Sequence, residues 1–373
     1  MRICYLANAA SIHTYRWAEH FADKGNQVTV ISFTTGSIPG ATVHVVGRRA
    51  WAGRFGSYLL GLPEVRRVVR DCQPDILHAH YAGGYGLLAA LAGWRPFVIT
   101  AWGSDVLVAA QKSSVLRALI SRSLRHADLV TSMAEHMTAV IHRLGVKRER
   151  IVTLPFGVDT SVFHPAGRGG IKDVGTPLIV STRHFEPVYN VGFLVEALPH
   201  VFAAHPTARA MIIGEGTQRA RLQRRARDLR ISDRAEFVGR LSQFEVAEAL
   251  RRADVFVSTA SSDGNNVSLN EAMACAAFPI VTDIAANREW VVDNYNGLLV
   301  NSSDPYALAR QILIALDNQP LRQAAANRNW AIIQQRGSWE RAMAHMKELY
   351  EYLLKQHRGT ASASAGLPLV PPR

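Results

Sequence analysis

Ile3-Cys-Tyr-Leu6 runs through Ala7-Asn-Ala-Ala-Ser11 into Ile12-His-Thr-Tyr-Arg-Trp-Ala-Glu-His-Phe-Ala-Asp-Lys24, and Gly25 separates that segment from Val28-Thr-Val-Ile-Ser-Phe33. The short apolar run reads as a strand. The segment after it places Trp17 and Phe21 at i,i+4 spacing on one helical face and stops at a glycine suited to a helix C-terminus. Strand, helix, strand is the repeating unit of a parallel sheet covered by helices. The alternation continues outward. Ile76 to Ala79, Phe97 to Thr100, Leu129 to Thr131 and Ile151 to Thr153 read as strands, with helices near Val65 to Cys72, Gly84 to Leu91, Ser114 to Leu124 and Met133 to Leu144.

Pro165-Ala-Gly-Arg-Gly-Gly170 breaks this pattern with three glycines in four residues and reads as a linker. Beyond it the alternation restarts, with strands at Leu178 to Ser181, Ala210 to Ile213, Ala235 to Val238, Val255 to Ser258 and Pro279 to Val281. The expected fold is α/β, two doubly wound Rossmann-like domains facing each other across a cleft. Residues 1–165 form the first, joined by a returning helix at about 339–357, and 171–338 form the second. Residues 358–373, rich in Ala, Ser, Gly and Pro, read as a disordered tail. In open α/β sheets ligands sit at the carboxyl ends of the strands, so function is sought in the strand-to-helix loops.

At ~150 residues per domain, 373 residues suit two or three domains, and 48% hydrophobic with 19% charged residues is an ordinary globular balance. The net charge of +12 calls for an anionic partner: nucleic acid, an acidic membrane surface or a phosphorylated substrate. Three cysteines, at 4, 72 and 275, form no C-x-x-C pair, which speaks against a disulfide framework or structural zinc and fits a reducing cytoplasm. The N-terminus lacks a signal-peptide cleavage pattern. The longest apolar stretch, Tyr81 to Trp102, is broken by four glycines and by Arg95-Pro96, so membrane contact is expected to be peripheral.

Several chemistries find no motif. The first strand-to-helix turn lacks G-x-G-x-x-G, and Gly214-Glu-Gly216 is a partial match that a plain tight turn explains better. There is no P-loop, no G-x-S-x-G elbow and no D-x-D. His78 and His80 project to one face of their strand, yet a metal pair there has no third ligand at a sensible spacing, which leaves hydrogen bonding.

The most informative segment is Ser261-Ser-Asp-Gly-Asn-Asn-Val-Ser-Leu-Asn-Glu-Ala-Met-Ala-Cys-Ala-Ala-Phe-Pro279. It follows a strand, turns through Gly264 and continues as a helix. Asp263 precedes that helix and Glu271 lies inside it. Free N–H groups at the helix start can bind phosphate oxygens, and a carboxylate further along can accept bonds from ribose hydroxyls. Spacing alone is equally compatible with a polar loop and a solvated carboxylate.

This segment resembles the E-x7-E region of family 4 (group 1) retaining glycosyltransferases, which have the GT-B fold. Asp75-Ile-Leu-His-Ala-His-Tyr81, Thr100-Ala-Trp-Gly-Ser-Asp105, Pro155-Phe-Gly-Val-Asp-Thr-Ser-Val-Phe163, Gly214-Glu-Gly216, Phe237-Val-Gly239 and Asn296-Gly-Leu-Leu-Val300 extend the likeness over nearly the whole chain. The resemblance implies metal-independent transfer of a sugar from a nucleotide-diphosphate-sugar to an acceptor hydroxyl with retention of configuration, and no cofactor. It assigns Glu271 to the ribose and Asp263 to the donor sugar. Gly264, Asn265, Asn266, Val267 and Ser268 would face sugar and diphosphate, Arg183 would neutralise the leaving diphosphate, Ala10 and Ser11 would lie over it, and Gly214 and Arg240 would complete the donor side. Three positions depart from the family pattern. Asp263 stands for a glutamate. Tyr189 or Asn190, in Arg183-His-Phe-Glu-Pro-Val-Tyr-Asn190, stands about where a lysine is expected, and Trp102 stands for a histidine. Trp102 suits either sugar stacking or core packing.

His13, His80, Trp102 and Asp105 are the acceptor-side candidates; a helix-start hydrogen bond and a helix N-cap equally account for His13 and Asp105. Arg48, Arg49, Arg54, Arg66, Arg67, Arg70, Lys112, Arg117, Arg122, Arg125, Arg143, Lys147 and Arg148 make the first unit basic. That surface suits either an anionic cytoplasmic leaflet carrying a lipid-linked or other carbohydrate acceptor, or plain solvation. Aromatic residues are not interleaved with the basic clusters, which argues against nucleic acid. The leading function is sugar transfer in cell-surface polysaccharide, lipopolysaccharide or glycolipid synthesis. The alternatives are a nucleotide-sugar hydrolase, epimerase or phosphorylase of the same fold, or a non-catalytic sugar-nucleotide-binding module.

Overall fold

A computed structural model describes residues 1–47, 58, 60–165, 175–301 and 303–359. The linker residues 166–170, the tail beyond residue 359, and Arg48, Arg49 and Arg54 lie outside the described residues. Two compact units result, Met1–Leu154 with Ala344–Arg373, and Pro155–Met343.

The first unit is an all-parallel sheet in the order β3-β2-β1-β4-β5-β6-β7. Its strands are β1 (Arg2–Leu6), β2 (Gln27–Ser32), β3 (Ala41–Val45), β4 (Ile76–His80), β5 (Phe97–Thr100), β6 (Leu129–Ser132) and β7 (Ile151–Thr153). The crossovers are α1 (Ile12–Asp23), α2 (Leu62–Cys72), α3 (Gly84–Ala92), α4 (Ser114–His126) and α5 (Glu135–Arg143). α1 buries Trp17 and Phe21, at 2% and 1% exposure, as the spacing predicts. Removing either aromatic would cost about 3 kcal/mol or more. Strand β3 is absent from the sequence reading. It pairs only with β2, and its residues are half-buried or exposed, so no apolar run marks it.

The second unit has the order β10-β9-β8-β11-β12-β13, again all parallel. Its strands are β8 (Leu178–Ser181), β9 (Arg209–Ile213), β10 (Ala235–Gly239), β11 (Val255–Ser258), β12 (Phe278–Thr282) and β13 (Leu298–Val300). Its helices include α6 (Val191–Ala204), α7 (Arg219–Asp228), α8 (Gln243–Arg252), α9 (Val267–Ala274), α10 (Pro305–Asp317) and α11 (Gln319–Ile332). The three-residue edge strand β13 is also absent from the sequence reading. In each sheet the strand order reverses once, between β1 and β4 and between β8 and β11. Such switch points are where ligands of open sheets bind.

The units divide at Pro155 rather than at residue 165. Val158 N donates to Gly337 O at 2.7 Å, and Trp339 N donates to Val158 O at 2.9 Å. A Cβ on Gly157 would lie 2.0 Å from Trp339 N, so only glycine permits this approach. Val162 and Phe163 complete a core cluster of the second unit. The last helix, α12 (Trp339–His357), accordingly starts in the second unit, and from Ala344 onward it belongs to the first. There Tyr350 is fully buried, with its hydroxyl 3.3 Å from that of Tyr5 and 2.5 Å from His78 Nδ1.

Candidate active site

In the second unit the switch point places the loop after β8 against the loop after β11. Arg183, 8% exposed, extends from the first loop. Its Nη2 donates to Asp263 Oδ2 at 2.5 Å and its Nη1 to Asn266 Oδ1 at 2.7 Å, while its guanidinium lies 4.2 Å from the centroid of the Tyr189 ring. Asn266 also caps α9. Its Oδ1 accepts from Leu269 N at 3.1 Å, and its Nδ2 donates to Ser258 and Asn287. One amide thus joins the arginine, the helix start, the end of β11 and the helical turn Ala285–Arg288.

Other side chains of this segment are turned inward. Asn265 Oδ1 accepts from Trp290 Nε1 at 3.0 Å, and Ser268 Oγ donates to Thr182 O at 3.0 Å. Gly264 is buried and Val267 half-buried, so the backbone at the start of α9 is the part suited to an anion. Glu271 is half-buried on the second turn of α9.

Gly214-Glu-Gly216 is a tight turn pressed onto the arginine loop. A Cβ on Gly214 would lie 2.2 Å from Arg183 O, and one on Gly216 would lie 2.6 Å from Phe185 O. Phe185 N donates to Glu215 O at 2.9 Å. Gly214 therefore shapes the backbone that presents Arg183. Arg240 follows β10 and is exposed. A cavity of about 1030 Å3 in this unit is lined by residues that include Asn190, Thr259, Ser261, Arg221 and Arg224 but none of Arg183, Asp263 and Glu271. Its arginines lie on the exposed face of α7, whereas Arg183 is withdrawn from water and aimed by three neighbours.

In the first unit, Asn8, Ser11, His80, Trp102 and Lys112 contribute to a cavity of about 640 Å3 that Leu87, Leu116, Leu119 and Ile120 also line. Ala10 is exposed beside Ser11, which starts α1. The Trp102 ring lies 4.7 Å from His13 and 5.3 Å from His80, centroid to centroid. It is both packed and cavity-lining. His80 is 3% exposed, and neither of its ring nitrogens has a hydrogen-bond partner among the described residues. Burial, then His13, push its pKa down to about 3, and burial with Arg16 pushes His13 to about 4. Both imidazoles are neutral near pH 7, so His80 offers one donor and one acceptor.

Asp105 departs from the expected acceptor contact. It is fully buried, and its carboxylate accepts from the N–H groups of Ala82, Trp102, Gly103 and Val106 at 2.8 to 3.3 Å. Gly103, not Asp105, is the N-terminal cap of the π-helical turn Ser104–Ala109. Burial raises the Asp105 pKa while these backbone donors oppose the rise. The residue anchors the loop that carries Trp102.

Two family models cover most of the chain: glycosyl transferase 4-like over residues 2–134, and glycosyl transferases group 1 over residues 169–330. The chain belongs to the family 4, group 1 glycosyltransferases. This glycosyltransferase is 25% identical to an uncharacterized glycosyltransferase of Methanocaldococcus jannaschii, over 80% of this chain and 81% of the relative. It is also 25% identical to the phosphatidyl-myo-inositol mannosyltransferase of Mycolicibacterium smegmatis, over 91% and 89%. Among solved structures, Anabaena HepE in complex with UDP superposes with a TM-score of 0.80 at 17% identity, covering 95% of this chain and all of that one. The glycosyltransferase WaaG, involved in lipopolysaccharide biosynthesis, gives 0.73 at 16% identity, over 95% and 99%. These neighbours establish the GT-B fold.

Within the second unit of this glycosyltransferase, the fold brings Arg183, Asp263, Asn266 and Gly214 together. The sequence reading missed the stacking of Tyr189 on Arg183 and the double role of Asn266. For Tyr189 the signal was present, as a tyrosine about where the family pattern has lysine. Asn266 was named on the donor side by its motif, but its bridging gave no signal, because an amide that joins four segments is indistinguishable in sequence from any loop asparagine.

Proposed function

We propose that this glycosyltransferase moves a sugar from a nucleotide-diphosphate-sugar to an acceptor hydroxyl with retention of configuration and without a metal, in the synthesis of a cell-surface polysaccharide, lipopolysaccharide or glycolipid. The observation that carries the reading is the buried Arg183 guanidinium, aimed by Asp263, Asn266 and Tyr189 beside the start of α9. A fixed guanidinium and helix amides stabilise the charge that develops on a departing diphosphate. Glu271 accepts the ribose hydroxyls, and Asp263 and the backbone of Gly264 to Ser268 meet the sugar.

His80, neutral and hydrogen-bond competent, suits an acceptor hydroxyl in the first-unit cavity, with Trp102 as its wall. HepE with bound UDP and the phosphatidyl-myo-inositol mannosyltransferase relative support a nucleotide-diphosphate donor and a lipid-linked acceptor by likeness. The first unit carries twenty-two Lys and Arg against eleven Asp and Glu, the second twenty against nineteen. The charge excess therefore sits on the unit proposed to meet the acceptor, which suits work at an anionic cytoplasmic membrane surface. No helix among the described residues is long and apolar enough to cross a membrane.

The test is incubation with UDP-, GDP-, ADP- and TDP-sugars with and without acceptor, with product configuration read by NMR. Acceptor-dependent nucleotide release and a retained anomer are expected. Release without acceptor would establish a hydrolase instead, and binding without turnover a non-catalytic module.

A further inference from the structure

We propose that Tyr189 is a positioning residue for Arg183, a ring that clamps the guanidinium in the orientation needed at a leaving diphosphate. The proposal rests on the phosphate role of Arg183 given above. An arginine side chain carries substantial rotamer entropy, which must be removed before its fork can act on a developing charge. Here Asp263 and Asn266 hold the two terminal nitrogens. The remaining face lies 4.2 Å over the Tyr189 ring, whose negative quadrupole attracts the cation without adding charge.

The turn that carries the ring is itself held. Tyr189 ends the single turn Pro187–Tyr189, opened by a proline and closed by Asn190 in the left-handed region at φ 46°. Ser261 N and Oγ donate to Val188 O at 2.8 and 3.1 Å. Thr259 Oγ1 donates to Tyr189 O and Asn190 O at 3.2 and 2.9 Å. Thr259 and Ser261 belong to the same loop as Asp263, so one hydrogen-bonded segment fixes both the clamp and the salt-bridge partner of Arg183. Tyr189 falls about where the family pattern expects a cation. In this chain the position supplies orientation in place of a second positive charge.

Because the clamp aims a group that acts on charge appearing in the transition state, its loss should fall on kcat more than on donor binding. In Tyr189→Phe, which keeps the ring, kcat and the donor KM should stay within about twofold of wild type. In Tyr189→Ala and Tyr189→Leu, kcat should fall about three- to thirtyfold, the range of a cation–π contact, with KM changed less. Leucine fills most of the ring's volume and serves where alanine compromises folding. A second readout does not depend on activity. The Arg183 Nε–H resonance, assigned by its disappearance in Arg183→Lys, should be ring-shifted in wild type and Tyr189→Phe and lose that shift in Tyr189→Leu. An unshifted resonance in wild type, or unaltered kcat in Tyr189→Leu alongside an active wild type, would overturn the clamp. Absence of transfer by the wild type from every nucleotide-sugar, with the ring shift present, would instead overturn the phosphate role of Arg183 and with it the purpose of the clamp.

Discussion

Arg183 Nη2 and Asp263 Oδ2 stand 2.5 Å apart, with the two side chains only 8% and 14% exposed. Breaking a pair so withdrawn from water leaves one charge uncompensated, which typically costs more than the pair contributes. Asp263→Ala should therefore lower the unfolding free energy by about 3 kcal/mol, measured by urea denaturation. Asp263→Asn, which keeps a hydrogen-bond acceptor, should lose less. It should also bind inorganic pyrophosphate about tenfold more tightly by calorimetry, because a competing carboxylate has gone from the guanidinium. Unchanged pyrophosphate affinity would separate Arg183 from the phosphate role.

Gly214 limits how the arginine loop can sit. A methyl group 2.2 Å from Arg183 O forces the backbone apart, so Gly214→Ala should cost about 2 kcal/mol of stability. It should also reduce turnover by at least about tenfold, since small misplacements of a catalytic group are expensive. Full activity in Gly214→Ala would show that the Arg183 loop tolerates displacement.

Acid should weaken the first unit through His80. Its pKa is held near 3 when folded, against 6.5 for an unperturbed histidine. Below pH 6.5 the unfolded chain binds a proton that the folded chain refuses. The stability contributed by the neutral ring is therefore intact above pH 6.5 and is lost as pH falls towards 3, at up to about 1.4 kcal/mol per pH unit. Urea denaturation at pH 7, 6 and 5 should show a shallower acid slope in His80→Asn than in wild type. Identical slopes would mean that His80 takes up its proton as readily in the folded as in the unfolded chain, and would overturn its depressed pKa.

The basic surface is testable without knowing the acceptor. On α4, Arg117, Arg122 and Arg125 accompany an exposed Val115. The protein should sediment with liposomes of anionic phospholipid at low salt and be released as salt rises. Arg117→Glu with Arg122→Glu should weaken sedimentation by about tenfold or more, each reversal removing ~1 kcal/mol of attraction and adding repulsion. Absence of sedimentation by the wild type at low salt would overturn the membrane reading and leave the basic face solvated.

Much of the architecture was legible in the chain because parallel strands covered on both faces are written as short apolar runs, and their crossovers as a 3.6-residue period. Trp17 and Phe21 reported α1, and Val255 to Ser258 reported β11. The edge strands β3 and β13 escaped, β3 for want of a buried run, whereas the edge strands β7 and β10 were read from their apolar residues. The donor-side segment was also legible, since Asp263, Glu271 and Arg183 are separable in sequence by their motifs. What the residues by themselves determined is thus the fold class, the family and the list of charged groups. The tertiary structure alone decided which of them meet: that Arg183 is paired to Asp263 and covered by Tyr189, that Gly157 ties the connecting segment to Trp339, and that Asp105 accepts from backbone N–H groups while neither His80 nitrogen has a hydrogen-bond partner among the described residues. Periodicity is a local property of the chain and survives in the sequence. Pairing and burial depend on close packing between segments distant in sequence, eighty residues apart for Arg183 and Asp263, and no local signal records them.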